Sequence, residues 1–161
     1  MLHQHKRTEE SKSDEWWTDL KLFKELCKEY NFYPKIDVAA TKANRLCGLY
    51  FTKKDNALKR KWIIGKKKRK CFLNPPNKLI KYFIQKAYEE FRLSKIQIMM
   101  IVPLNVQSSC SWWDYVQYPM ERGEKIFVRP IKTRRKFLYK GFDKGTSING
   151  YCVVIFGRKR K

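Results

Sequence analysis

The chain of 161 residues is 43% hydrophobic and 15% aromatic, which suffices for the core of one domain and excludes a chain that is disordered throughout. Lys and Arg number 37 against 15 Asp and Glu, a formal net charge of +22 at pH 7. This excess favours a polyanionic partner, with nucleic acid as the first candidate and an anionic membrane surface as the second.

Cysteine spacing and apolar runs bear on metal binding and on the compartment. The five cysteines include no CxxC pair, so the sequence predicts no metal site, no disulfide framework and a reducing, cytoplasmic compartment. The first residues lack the apolar stretch of a signal peptide, and the longest apolar run, at 96–103, is too short to span a membrane. We expect a flexible segment at 1–13, one domain at 14–157 and a basic tail at 158–161.

Hydrophobic periodicity divides the chain into alternating helices and strands. Apolar residues recur at helical spacing from Leu20 to Cys27, behind Thr18 or Asp19 as the N-cap. The other predicted elements, in chain order, are a strand (34–40), a loop or short helix (41–51), a strand (71–73), a helix (78–93), a buried strand (95–103), a helix (108–119) and strands at 124–130, 134–140 and 150–157.

This order of elements predicts an α/β fold with three layers, α-β-α. The sheet is expected to be mainly parallel, with antiparallel strands at its C-terminal end. Ligands of such sheets bind at the carboxyl ends of the strands. Asp37 and Asn74 both fall at the ends of predicted strands, so we expect them on one rim.

The stretch "CFLNPPN" at 71–77 places two prolines directly after a short apolar strand. The Asn74 side chain and the Pro75 carbonyl offer two acceptors, and the prolines hold this backbone rigid and remove competing N–H donors. Two such acceptors can receive both hydrogens of one exocyclic amine and leave its lone pair facing an electrophile. Catalysis of amine methylation from a sulfonium donor would then come from orientation and electrostatics.

Five blocks of sequence resemble the phage-type DNA N6-adenine methyltransferases, in that family's order and over nearly the whole chain. An NPP triplet alone is expected by chance in roughly one to two per cent of chains of this length, so the five blocks together carry the resemblance. The blocks are "DEWWT" (14–18), "IDVAATKANRLCGLYFTKKDNAL" (36–58), "FLNPPNKLIKYFIQKAYEE" (72–90), "IVPLNVQSSCSWWDYV" (101–116) and "VVIFG" (153–157).

The resemblance implies a Rossmann-like class I methyltransferase that uses S-adenosylmethionine and flips an adenine out of duplex DNA. Asn74, Pro75 and Pro76 match the catalytic NPP of the family, and Asn77 occupies the fourth position of that motif. Segments that contact the cofactor in the family match Trp17, Thr18, Asp37, Ala39, Ala40, Asp55 and Asn56. An aromatic pair of the family matches Trp112 and Trp113, which we predict to contact nucleic acid.

The sequence departs from the family in three places. The fourth motif residue is Asn77 rather than an aromatic, which normally stacks on the flipped adenine; such stacking is worth about 1–3 kcal/mol. Tyr82 or one of the tryptophans 112–113 could substitute for it. Asp19 replaces the usual proline, and no glycine-rich loop follows Asp37.

Basic runs at 53–70, 129–140 and 158–161 are interleaved with aromatic residues, a pattern typical of surfaces that follow phosphates. The predicted phosphate contacts are Lys66, Lys67, Lys68, Arg69, Lys70, Arg134, Arg135 and Lys136.

Each motif also has a purely structural interpretation. Asn74-Pro75-Pro76 could simply end a strand, Asp37 could cap the next segment, and Asp55 could belong to a surface turn. At least one tryptophan of each Trp-Trp pair is expected in the core, and single basic runs are usually solvated surface.

The function expected from these residues is S-adenosylmethionine-dependent methylation of adenine N6 in double-stranded DNA, with low sequence specificity because the domain is short. The main rival is a non-catalytic nucleic-acid-binding protein on a degenerate methyltransferase scaffold. RNA or cytosine N4 remains a third possibility, since cytosine also carries an exocyclic amine.

Overall fold

The computed structural model describes residues 16–132, 137–139, 142–143 and 150–158. The strands are β1 (Trp16–Thr18), β2 (Ile36–Asp37), β3 (Leu49–Tyr50), β4 (Cys71–Leu73), β5 (Ile98–Pro103), β6 (Ile126–Pro130), β7 (Phe137–Tyr139), β8 (Phe142–Asp143) and β9 (Tyr151–Phe156). The α-helices are α1 (Leu20–Glu29), α2 (Ile80–Ser94), α3 (Cys110–Trp112) and α4 (Tyr118–Glu121), with a π-helical turn (Trp113–Gln117) between the last two.

The main sheet has six strands in the order β3-β2-β4-β5-β9-β6. The first four are mutually parallel, and β9 runs antiparallel to both β5 and β6. The predicted sheet, mainly parallel with antiparallel C-terminal strands, is therefore confirmed. A parallel pair needs a crossover connection, and α2 supplies one between β4 and β5.

Two apolar clusters cover the two faces of this sheet. Successive side chains of a strand point to opposite faces. In β4, Cys71 and Leu73 pack in the cluster that holds the buried face of α2, while Phe72 packs in the cluster that holds α1. The alternation confirms the predicted three layers, with α1 on one side of the sheet and α2 and α3 on the other.

Helix α1 confirms the predicted amphipathic helix, but its buried face differs from the prediction at one position. Asp19 occupies the N-cap position, although its side chain makes no capping hydrogen bond. The buried residues include Leu22, whereas Leu20, which the sequence placed on the apolar face, is 49% exposed. Leu20 is the first helical residue, so its side chain precedes the turn that packs on the sheet.

Three short strands were not expected. β3 lies in the segment predicted as a loop or short helix, and β1 and β8 flank β7 in a second, antiparallel sheet of order β1-β7-β8. Strands of two or three residues are too short to show an alternating hydrophobic pattern, so their pairing partners and not their own sequence define them.

The predicted helix at 108–119 is interrupted. It begins at Cys110, where the Ser109 hydroxyl accepts a hydrogen bond from the Trp112 amide at 3.3 Å. Pro119 lacks an N–H, so the Tyr115 carbonyl cannot accept the usual i→i−4 bond, which favours the wider π-helical turn that precedes it. None of the helices in the described ranges has the length and hydropathy that a bilayer-crossing segment needs.

Candidate active site

The ends of β2 and β4 lie side by side at one rim of the main sheet. Asp37, the last residue of β2, is paired in register with Phe72 of β4, and the Val38 amide donates to the Phe72 carbonyl at 3.0 Å. Asn74 follows β4 directly. The expectation that Asp37 and Asn74 share one rim is therefore confirmed.

Asn74 is tied to the segment that precedes α1. Its Nδ2 donates to Thr18 Oγ1 at 2.9 Å, although 56 residues separate the two along the chain. Thr18 is only 7% exposed. Because Nδ2 is committed to Thr18, Oδ1 is the part of the Asn74 amide left as an acceptor. The buried Pro75 follows without an N–H to compete for that oxygen.

Asp37 is 3% exposed, and backbone amides hold its carboxylate. Oδ2 accepts from the Leu46 amide at 3.1 Å and Oδ1 from the Ala39 amide at 3.4 Å, so the carboxylate fixes the loop that follows β2. Burial raises the pKa of Asp37 from its ordinary value of 3.8 to about 6, against the lowering effect of the two hydrogen bonds.

This raised pKa gives stability a defined pH dependence. The folded state binds the Asp37 proton more tightly than the unfolded state does, so this contribution is present below about pH 4 and lost as pH rises through about 6. Asp37→Asn removes the titration and one acceptor. We expect the stability advantage of the wild type over Asp37→Asn to shrink by up to about 3 kcal/mol between pH 4 and 7. Urea unfolding across this range measures it, and a constant difference would contradict the assignment.

A cavity of about 760 Å³ opens beside this rim. Four of the predicted site residues line it, namely Ala39, Ala40, Asn56 and Pro76. Sequence analysis missed others that do so, among them Thr41, Asn44, Phe51, Lys53, Lys78 and Phe83. All six lie inside the blocks of resemblance at 36–58 and 72–90, so their position within these blocks was the available signal.

Hydrogen bonds shape the walls of this cavity. The Ala40 amide donates to the Phe51 carbonyl at 3.0 Å, and the Phe51 amide donates to the Asp37 carbonyl at 2.8 Å. Asn44 Oδ1 accepts from the Thr41 amide at 2.6 Å and closes the loop after β2. The segments after β2 and β3 therefore form one connected wall.

Asp55 stands outside the lining and supports it. Its Oδ2 accepts from the Thr52 amide and hydroxyl, both at 2.8 Å, and its Oδ1 accepts from Arg60 at 3.2 Å. The hydrogen bonds from Thr52 hold the pKa of Asp55 below its ordinary value. This reciprocal capping ends in Asn56, whose φ of 50° turns the chain at the cavity wall. The predicted cofactor contact of Asp55 stays a prediction, alongside a structural role that the geometry shows.

The pair Trp112 and Trp113 divides between core and surface. Trp112 is 3% exposed and packs in the cluster with α2, so it has almost no surface for nucleic acid. Trp113 is 41% exposed, and its ring lies 5.3 Å from that of Tyr118, which is 47% exposed. Trp17 is half-buried in β1.

The basic run at 66–70 lies at the start of β4, the end opposite Asn74. Lys66, Lys67 and Lys68 are exposed around a bridge between Ile64 and Lys67. Arg69 donates to the Ile64 carbonyl at 2.7 Å, and Lys70 lies 5.0 Å from the centre of the Phe32 ring. The predicted contacts Arg134, Arg135 and Lys136 lie outside the described residues.

Comparisons of the chain with known proteins give a family match and a phage relative. A family model described as DNA N-6-adenine-methyltransferase (Dam) matches residues 5–160. A protein of Escherichia phage T1 named DNA N-6-adenine-methyltransferase is 32% identical over 106 residues. That match covers 66% of this chain and 42% of the phage protein, so it spans less than half the length of that relative. No solved structure matches the chain.

Proposed function

Because this chain belongs to the DNA N-6-adenine-methyltransferase family, we propose that it methylates the N6 amine of adenine in DNA with S-adenosylmethionine as the methyl donor. The observation that carries the proposal is the Asn74 amide. Its nitrogen is bound to Thr18, and its oxygen is the remaining acceptor, at the carboxyl end of a parallel strand beside the cavity.

The cavity suits a cofactor of this kind. Its volume of about 760 Å³ lies within the range of small-molecule sites. Ala39, Ala40 and Phe83 give it apolar walls for a purine, and Asn44 and Asn56 bring polar groups for a ribose and an amino-acid tail. The cofactor supplies a methyl group bonded to a sulfonium.

The residues of this chain orient the amine. Asn74 Oδ1 and the Pro75 carbonyl accept its two hydrogens, which turns the nitrogen lone pair towards the cavity. As the new N–C bond forms and the sulfonium S–C bond breaks, positive charge would develop on the amine nitrogen, and the partial negative charges of the amide and carbonyl oxygens would stabilise it. The protein therefore contributes mainly by positioning the amine against the methyl group, and neither group needs much further activation.

Stacking on the flipped adenine needs another aromatic, because Asn77 stands where the family has one. Tyr82 is 49% exposed near the start of α2, three residues after Leu79, which lines the cavity. Trp113 is exposed on the segment that follows β5. We propose Tyr82 as the replacement nearer along the chain, since a single 3₁₀ turn (Asn77–Leu79) separates the Asn-Pro-Pro segment from α2.

Filling the cavity is expected to weaken cofactor binding. Ala39→Phe introduces a ring among the lining residues and should raise the Kd for S-adenosylmethionine at least about tenfold, a loss of about 1.4 kcal/mol. Ala43→Phe is the matched control, because Ala43 is exposed and outside the lining. Isothermal titration of both variants tests this. Equal Kd values for the two variants would show that S-adenosylmethionine does not bind in this cavity.

The experiment that tests the function is methyl transfer from labelled S-adenosylmethionine to unmethylated duplex DNA, followed by digestion to nucleosides. We expect N6-methyladenine. Labelled N4-methylcytosine would change the target base, and label in RNA alone would change the substrate. DNA binding without cofactor binding would instead identify a degenerate scaffold that only binds nucleic acid.

A further inference from the structure

The edge of the main sheet opposite Asn74 carries a row of cations. The strand register aligns Ile36, Cys71, Ile98, Phe156 and Ile126 across five neighbouring strands. The residues just beyond this line include Lys35, Lys70, Arg158 and Lys125.

This row, which we call the back edge, comprises Lys35, Lys70, Lys125 and Arg158, and the neutral Gln97 interrupts it at β5. The Lys35 amide donates to the Lys70 carbonyl at 2.9 Å, and the Gly157 amide donates to the Lys125 carbonyl at 2.7 Å. Neighbouring strands lie about 4.8 Å apart, so the row extends roughly 19 Å. Lys95, at the end of α2, and the exposed lysines 66–68 extend the same edge. That length matches several successive phosphates of one duplex strand, which are about 3.4 Å apart along the helix axis.

Two of these cations are held in place by aromatic rings. A cavity of about 310 Å³ separates Lys70 from Arg158 and is also lined by Tyr30 and Phe32. Lys70 lies 5.0 Å from the Phe32 ring centre. Arg158 lies 5.5 Å from the Tyr30 ring centre and donates to the Tyr30 carbonyl. Cations held over rings lose less conformational freedom when they bind an anion.

Nearby carboxylates are engaged with other cations. Glu29 is paired with Arg129 at 3.7 Å, and Glu124 with Arg92 at 2.9 Å. The positive charge of the back edge is therefore not neutralised by these two carboxylates. A strongly cationic edge gains affinity for polyanions by releasing their counterions.

The back edge is remote from the candidate active site. Lys70 and Asn74 are four steps apart along an extended chain, about 13 Å at 3.3 Å per step. The catalytic rim and the back edge also face opposite ends of the strands. A duplex segment that presents an adenine to Asn74 would therefore approach the end of the strands opposite the back edge.

We propose that the back edge is a second phosphate-binding surface, which holds a segment of DNA other than the one at the catalytic rim. Only the choice of DNA as the nucleic acid rests on the proposed function; the surface itself follows from the strand register and the charges. The two surfaces together let one molecule stay bound to long DNA while the segment at the rim exchanges.

The test compares two triple variants with the same change in charge. Lys35→Gln/Lys95→Gln/Lys125→Gln alters the back edge, and Lys21→Gln/Lys24→Gln/Lys59→Gln alters exposed lysines elsewhere. Fluorescence anisotropy with long duplex DNA, over a series of salt concentrations, gives the affinity and its salt dependence. We expect the slope of log K against log salt to fall by about 2–3 in the back-edge variant and by less than about 1 in the control.

Three outcomes decide the proposal. Equal slopes for the two triple variants would overturn it, because the effect would then be one of net charge. The same titration is repeated with RNA in place of DNA. If the back-edge variant lost affinity for RNA and kept its affinity for DNA, the proposal would also be overturned. A reduced slope in the back-edge variant, in a protein that fails to methylate DNA, would support this surface and reject the proposed function. Thermal unfolding midpoints and cofactor titration check that both variants keep their fold.

Discussion

Asn74→Ala is expected to lower the rate of methyl transfer by about a hundredfold to a thousandfold, while the Kd for S-adenosylmethionine stays within about threefold. The substitution removes Oδ1, the acceptor that we propose for the amine, and also the Nδ2 bond to Thr18. Asn74 is absent from the lining of the cavity that we assign to the cofactor, so cofactor binding should be spared. Single-turnover methyl transfer and isothermal titration measure the two quantities.

Asn74→Asp is the matched control. It keeps an oxygen acceptor for the amine, and the Thr18 hydroxyl can rotate to donate to the new carboxylate. We expect Asn74→Asp to retain more activity than Asn74→Ala. Methylation by Asn74→Ala at the wild-type rate would refute the proposal that Asn74 holds the amine, whatever the affinity for DNA.

The fold was largely predictable because its long elements carry strong patterns. The apolar spacing of α2 and the continuous apolar run of β5 identify a buried helix and a buried strand from the sequence alone. The short strands β1, β3 and β8 exist through hydrogen bonds to partners far along the chain, which no local pattern records.

The candidate site was predictable in part for a related reason. A strand followed by Asn-Pro-Pro already indicates where Asn74 lies, because parallel strands end at a common rim. The partner of its amide could not be inferred, since Thr18 reaches Asn74 through the position of β1. The supporting role of Asp55 was also hidden, because reciprocal capping with Thr52 depends on side-chain rotamers.

The distribution of charge was the least predictable feature. The sequence places Lys66, Lys67 and Lys68 shortly before Asn74, in a basic run predicted to contact phosphates. A parallel strand separates its two ends in space, so neighbours in sequence face opposite edges of the sheet. A phosphate contact at one end of β4 therefore cannot be assumed to serve chemistry at the other.

Thr18→Val is expected to lower the maximal rate of methyl transfer by about tenfold. Valine matches threonine in shape but cannot accept a hydrogen bond, so the half-buried Asn74 Nδ2 loses its partner, at a cost of about 1–3 kcal/mol. The amide is then free to rotate, and Oδ1 spends less time facing the amine. Thr18→Ser keeps the hydroxyl and should retain most of the activity.

A double-mutant cycle separates this positioning role from a general loss of stability. If Thr18 acts through Asn74, then Thr18→Val should have little further effect on the rate in an Asn74→Ala background. Additive losses would show that the two residues act independently. If Thr18 instead contacts the cofactor, as the sequence predicted, Thr18→Val should raise the Kd for S-adenosylmethionine in both backgrounds. The shared hydrogen bond at 2.9 Å favours coupling, because residues in direct contact seldom contribute additively.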